Sequence, residues 1–122
     1  MLEHGRRRLR DGQWIVMFPE GTRTAVGSQG KYKAGGPRLA VETNTLVVPI
    51  AMNSGQCWPK GSFIKQPGVI TVSIGKPMSP QGLTAQELNE RVENWIESEM
   101  RVISPDVYKN SAPRPAAQAA SQ

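Results

Sequence analysis

The stretch "WIVMFPEGTRT", residues 14–24, decides how this chain is read. Five apolar residues run into Pro19, and an acid, a glycine, a hydroxyl and a guanidinium then follow in four positions, Glu20, Gly21, Thr22 and Arg23. Residues 14–18 read as a buried strand, closed by a proline that carries no N–H for a ladder. In α/β sheets, ligands gather outside the carboxyl ends of strands. Gly21 lets the backbone turn with positive φ or come close to a ligand. Thr22 offers a hydroxyl, and Arg23 a planar fork matched to the oxygens of a phosphate. Each charge-assisted hydrogen bond of this kind contributes about 1.5–3 kcal/mol. Glu20 stands three residues before Arg23, where it can orient the guanidinium or bond a substrate hydroxyl, and Lys31 and Lys33 add positive charge. The chemistry is that of a phosphate-binding corner. The same residues also suit a strand exit whose Glu and Arg pair on the surface, and spacing alone does not separate the two.

Around this stretch the pattern alternates helices and strands. Residues 2–11 suit a helix with Leu2 and Leu9 on one side and four arginines around it, stopped by Gly12. A loop follows the signature through about residue 33. A short helix over 36–43 would turn Leu39 and Ala40 inward and hold Pro37 in its first turn. "TLVVPIAM" (45–52) reads as a second, near-continuous apolar strand. "GVITVSIG" (68–75) reads as a third, with Val69, Thr71 and Ser73 on one face and Ile70, Val72 and Ile74 on the other. "LTAQELNERVENWIESEM" (83–100) carries the plainest helix signal. Thr84 and Glu87 make a capping box, and Leu88, Val92, Trp95, Ile96 and Met100 make one apolar stripe. Glu90, Glu93 and Glu97 read as its solvated face. From Asn110 the chain is poor in large apolar residues and reads as a disordered tail. The expected fold class is α/β, a mixed sheet parallel at least in part with flanking helices.

The chain has 122 residues, the length of one modest domain. No window approaches eighteen apolar residues, so no membrane-spanning helix is expected, and no signal-peptide run follows Met1. Cys57 is the single cysteine, so no internal disulfide forms. It reads as a small buried filler, not a nucleophile, because no base is near it in sequence. The net charge of +5 is unevenly spread: residues 1–83 hold eleven Lys and Arg against four acids, and residues 84–122 hold four against six. The basic part therefore coincides with the signature, and it favours phosphates, anionic lipid surfaces or an acidic partner. Nucleic acid is not an expected partner, because the aromatic residues sit mostly in apolar runs and do not interleave with the basic ones. Trp58 suits either an acyl chain or membrane interface, or a lid over the end of the sheet.

"FPEGTRT" resembles the signature block of the glycerolipid acyltransferases related to 1-acyl-glycerol-3-phosphate acyltransferase. "KYKAGGPRLA" (31–40) is similar to that family's aromatic-Lys-x-Gly segment and the helix after it, which sets Lys33 at the family's lysine. "VVPIAMNSG" (47–55) resembles its later apolar block around a proline, here Pro49. "WPKGSFIKQPGVITVSIGKPM" (58–78) resembles the next strand and its flanks. The likeness runs in order over about residues 1–104. It implies a site in which Glu20, Gly21, Thr22 and Arg23 hold the acceptor's phosphate, with Lys33 in support. It implies transfer of an acyl group from acyl-CoA or acyl-carrier protein to the 2-hydroxyl of lysophosphatidic acid, giving phosphatidic acid. That activity belongs to phospholipid biosynthesis at the cytoplasmic face of a membrane, peripherally held, and calls for no cofactor or metal.

One departure qualifies the resemblance. The family's catalytic motif is a His and an Asp separated by four residues, upstream of the signature. The only histidine here is His4, and the next acid after it is Asp11, seven positions on. On a helix that is about 10 Å along the axis, too far for a hydrogen-bonded dyad. No residue is therefore assigned a catalytic role, and His4 reads as a surface histidine. The expectation is the C-terminal part of an acyltransferase domain over residues 1–109 with a disordered tail over 110–122, inactive and poorly stable alone. The alternative is a non-catalytic anionic-lipid-binding or regulatory module that keeps the phosphate corner.

Overall fold

The structure, a computed structural model, describes residues 2–21 and 31–108. The tail expected from Asn110 lies outside these residues, as do Thr22 and Arg23 of the signature. Helix α1 spans Leu2–Arg10. It ends as its sequence predicts: Gly12 takes φ +75°, its N–H reaches Leu9 O at 3.1 Å, and the Gln13 N–H reaches Arg8 O at 2.9 Å. Those two bonds make a Schellman motif, which requires the left-handed residue that glycine supplies. Helix α2 spans Gly35–Thr43, buries Pro37, Leu39 and Ala40, and ends on Asn44 in the left-handed region. The two helices touch where α1 lacks a side chain: a Cβ on the buried Gly5 would stand 2.6 Å from Leu39 Cδ2. Arg6 pairs with Glu42 of α2, which also binds Arg38 at 3.2 Å, so that arginine braces a helix contact.

Strand β1 (Ile50–Met52) pairs antiparallel with β2 (Val72–Ile74), Ile50 opposite Ile74 and Met52 opposite Val72. An isolated bridge joins Val47 to Met78, with one more residue on the second strand than on the first between the two pairings, a bulge opposite Pro49. The expectation of a partly parallel sheet is corrected here, because no parallel pairing occurs among the described residues. A parallel return is usually carried by a helical crossover. Between β1 and β2 the chain forms only a short 3-10 turn, Ser54–Gln56, and a loop.

Helix α3 (Ala85–Ile103) lies across one face of this sheet and also meets α2 and the short α4 (Pro105–Tyr108). Its capping box is complete: the Glu87 N–H donates to Thr84 Oγ1 at 3.1 Å, and the Thr84 N–H to Glu87 Oε2 at 3.2 Å. Leu88, with 0% of its surface exposed, and Val92 join Ala40 in the core, with Val47, Met78, Leu83 and Ile96 packed around them. The sheet's inner side is held by Ala51 and by Ser73, whose hydroxyl donates to Glu99 Oε2 at 2.7 Å.

The strands are not buried as their composition suggests. Leu46, Val48, Ile50 and Met52 point away from α3 and are exposed, as are Val72 and Ile74 beside them. Residues 14–18, expected as a buried strand, pair with no strand among the described residues; Trp14 is 95% exposed, and Val16 and Phe18 are exposed with it. A strand apolar on both sides is buried only when sheet neighbours and a second layer exist, and the described residues supply one layer. The segment is nonetheless anchored, since a Cβ on Gly36 would meet Met17 Sδ at 3.0 Å.

Candidate functional site

The signature leaves residues 14–18 through a tight turn. The Gly21 N–H donates to Phe18 O at 2.9 Å and Gly21 takes φ +69°, a conformation in which a Cβ would be strained. Its missing side chain has a second consequence. A Cβ there would lie 2.8 Å from Lys33 Nζ and 3.0 Å from Lys33 Cε, so the lysine lies against the glycine backbone. The main chain makes the same junction, because the Lys33 N–H donates to Pro19 O at 2.7 Å. Glu20, Gly21 and Lys33 are thus brought together across residues 22–30. Thr22 and Arg23, between these two fixed ends, fall outside the described residues. An ammonium beside a glycine turn, with no side chain in the way, is a fitting receptor for a phosphate's oxygens.

Beneath Lys33 lies an interaction that sequence reasoning missed. Tyr32 is 5% exposed and its hydroxyl donates to Glu97 Oε1 at 2.8 Å, across 65 positions of sequence. Glu97 is 7% exposed, which corrects its reading as solvated helix surface. Burial raises its pKa above the usual carboxylate range; the Tyr32 bond and Arg101 act against the rise, and the charges of Glu20 and Glu93 add to it. Burial, and then the same carboxylate, push the Tyr32 phenol far upward, so it remains a donor at every ordinary pH. Asn89 Nδ2 reaches Tyr32 O at 3.5 Å, and Arg101 Nη1 donates to Glu97 O at 2.9 Å. A buried polar bolt on α3 therefore fixes the backbone that presents Lys33. The one hint in the sequence is an aromatic between two lysines, "KYK", with no local apolar partner.

The other sequence candidates fall elsewhere. His4 is exposed on α1 and Asp11 lies just past that helix's end, in keeping with a surface role. Cys57 is half-buried. Trp58 is half-exposed; its Nε1–H donates to Ser62 O at 2.9 Å, and Lys65 Nζ sits 4.4 Å from its ring centroid. Among the described residues, no helix is long and apolar enough to cross a membrane.

Known proteins with similar sequences point to one group. The family described as acyltransferase matches residues 1–53. A 1-acyl-sn-glycerol-3-phosphate acyltransferase of Pseudomonas aeruginosa is 43% identical over 118 residues, covering 94% of this chain and 46% of that protein. The human 1-acyl-sn-glycerol-3-phosphate acyltransferase alpha is 35% identical over 98 residues, which is 75% of this chain and 34% of its own length. Among solved structures, the 1-acyl-sn-glycerophosphate acyltransferase PlsC of Thermotoga maritima matches with a TM-score of 0.79 at 26% identity, over 93% of this chain and 46% of that one. The chain spans about half the length of the bacterial relatives that it matches.

Proposed function

The chain belongs to the PlsC-like acyltransferase family, and on that premise we propose that it supplies the acceptor-binding part of an acyl-transfer site in phospholipid synthesis. The acceptor is 1-acyl-glycerol-3-phosphate. Its phosphate sits at the Gly21 turn against the Lys33 ammonium, with Thr22 and Arg23 as further donors and Glu20 orienting the guanidinium or bonding the acceptor's hydroxyl. The acyl group comes from a thioester, acyl-CoA or acyl-carrier protein, and the 2-hydroxyl that attacks it yields phosphatidic acid. The observation that carries this reading is the junction of Gly21 and Lys33.

Fixing the phosphate at one end holds the glycerol hydroxyl at a set distance, which turns encounter into orientation. The attacking hydroxyl must also lose a proton to a base. This sequence has no His-x4-Asp, and neither His4 nor any other residue of it takes that role. We assign the base to a segment that packs on the bare side of the sheet, where Leu46, Val48, Ile50 and Met52 stand uncovered. A lipid acceptor and a lipid product set the site at a membrane surface, and thioester donors made in the cytoplasm favour its cytoplasmic face.

The test is a chimera in which this chain replaces the matched 118 residues of the Pseudomonas relative. Arg23→Ala and Lys33→Met are each expected to raise the acceptor KM by roughly 10- to 100-fold, the equivalent of one charge-assisted hydrogen bond. The donor KM should change little. An acceptor KM equal to that of the unsubstituted chimera would remove the phosphate role.

A further inference from the structure

Residues 57–66 form a loop that the phosphate site does not use and that closes on itself. The Gln66 N–H donates to Cys57 O at 2.6 Å and the Ser62 N–H to Pro59 O at 3.1 Å. The Ser62 hydroxyl bonds both main-chain groups of Ile64 at 3.1 Å, and the Trp58 indole donates to Ser62 O. Gly61 makes the bend at φ +77°, with open space around it. So many internal bonds give the tip a set shape, and the tip is apolar: Phe63 is 103% exposed, Ile64 is 73% exposed, and half-exposed Trp58 stands behind them. A fully exposed phenylalanine and isoleucine at the tip of a hydrogen-bonded turn make an apolar patch that calls for a partner. Lysines flank the tip. Lys60 is exposed, Lys65 lies over the Trp58 ring, and no Asp or Glu occurs anywhere between Glu42 and Glu87.

We propose that this loop is an interfacial anchor for an anionic phospholipid bilayer, with Phe63 and Ile64 entering the acyl boundary while Lys60 and Lys65 meet the headgroups. Aromatic rings behind an apolar tip suit the interfacial depth, where one end of the ring is wet. The acid-free stretch from 43 to 86 favours a negative surface over a zwitterionic one. The anchor gives a place on this chain to the membrane contact in the functional reading above. It is tested separately from that reading, because vesicle binding needs no acyl transfer.

The 122-residue chain is sedimented with vesicles of phosphatidylcholine containing phosphatidylglycerol, and with vesicles of phosphatidylcholine alone. Phe63→Ser combined with Ile64→Ser is expected to lower partition to the anionic vesicles by at least about tenfold, the loss that follows when large apolar side chains no longer leave water. Lys60→Glu combined with Lys65→Glu should remove the preference for anionic over neutral vesicles, a loss of at least about tenfold on its own. All substitutions are on exposed side chains, and an unchanged far-UV spectrum certifies the fold. The bare sheet face is the rival contact, tested by Leu46→Ser with Ile74→Ser. Binding lost with that pair but kept with the tip pair overturns the anchor, and so does an unsubstituted chain that ignores anionic vesicles. In the chimera, transfer to a water-soluble short-chain acceptor should be indifferent to the tip substitutions. A failed anchor and a failed phosphate site are therefore read apart.

Discussion

Tyr32→Phe should destabilise this protein more at alkaline than at acid pH, and the sign follows from Glu97. Burial raises the Glu97 pKa in the folded chain above its unfolded value. Between those two values the folded state binds more protons than the unfolded one, so stability falls as pH rises through the window and levels off above it. Above the window Glu97 is charged, and the Tyr32 hydroxyl donates to a carboxylate at 2.8 Å; below it, to a neutral acid. Deleting the donor therefore removes a charged hydrogen bond, about 1.5–3 kcal/mol, at high pH, and a neutral one, about 0.5–1.5 kcal/mol, at low pH. For a chain of this length each kcal/mol moves the melting temperature by roughly 3–6 °C.

Glu97→Gln should show the opposite trend. The amide keeps an acceptor for Tyr32 and does not titrate, so relative to the unsubstituted chain it gains as pH rises. Thermal unfolding followed by far-UV circular dichroism, in a pH series that starts in the ordinary carboxylate range and runs upward, reads both trends on three proteins. A Tyr32→Phe cost independent of pH would refute the buried carboxylate. So would a Glu97→Gln variant that loses ground at the higher pH. In the chimera the same Tyr32→Phe substitution should raise the acceptor KM modestly, because the backbone it anchors carries Lys33.

Two further outcomes test the frame around the site. Gly75→Ala should cost about 1–3 kcal/mol by overpacking, since its Cβ would lie 2.7 Å from Trp95 Cζ2 and 2.8 Å from Pro49 Cγ, both on stiff rings. Urea titration measures it, and a loss below a few tenths would mean that α3 sits less tightly on the sheet. Thr84→Ala should cost about 1 kcal/mol by removing the N-cap, while Thr84→Ser should cost far less because it keeps the oxygen that Glu87 N–H uses.

What the sequence disclosed is what chemistry within a few residues decides. The capping box at Thr84, the stop at Gly12 and the inward turn of Leu39 and Ala40 all depend on neighbours no more than a turn away. Burial of the strands does not. "WIVMF" states a demand for cover on both sides, but whether Trp14 and Phe18 are covered depends on chain far from them. Glu97 fails in the reverse sense. It lines up with Glu90 and Glu93 on α3, and only the arrival of Tyr32 from 65 residues away converts a polar stripe into a buried bond.

The candidate site shows both behaviours at once. Glycine at position 21 is legible as a turn, and the structure uses it as one; that Lys33 should lie across it is not legible, because the loop between them sets no fixed spacing. The structure closes that gap twice, through the bond of Lys33 N–H to Pro19 O and through Tyr32 on Glu97. Holding the lysine by its backbone spares the cost of ordering the main chain when an anion arrives, and only the side chain's rotamers remain to be fixed. The exposed strand face gives the complementary lesson. Apolar alternation is costly to keep in water, so Leu46, Val48, Ile50 and Met52 read as one half of an interface. The phosphate corner and that face lie on the same short chain; in the function proposed above, the first holds the acceptor and the second receives the segment that carries the base.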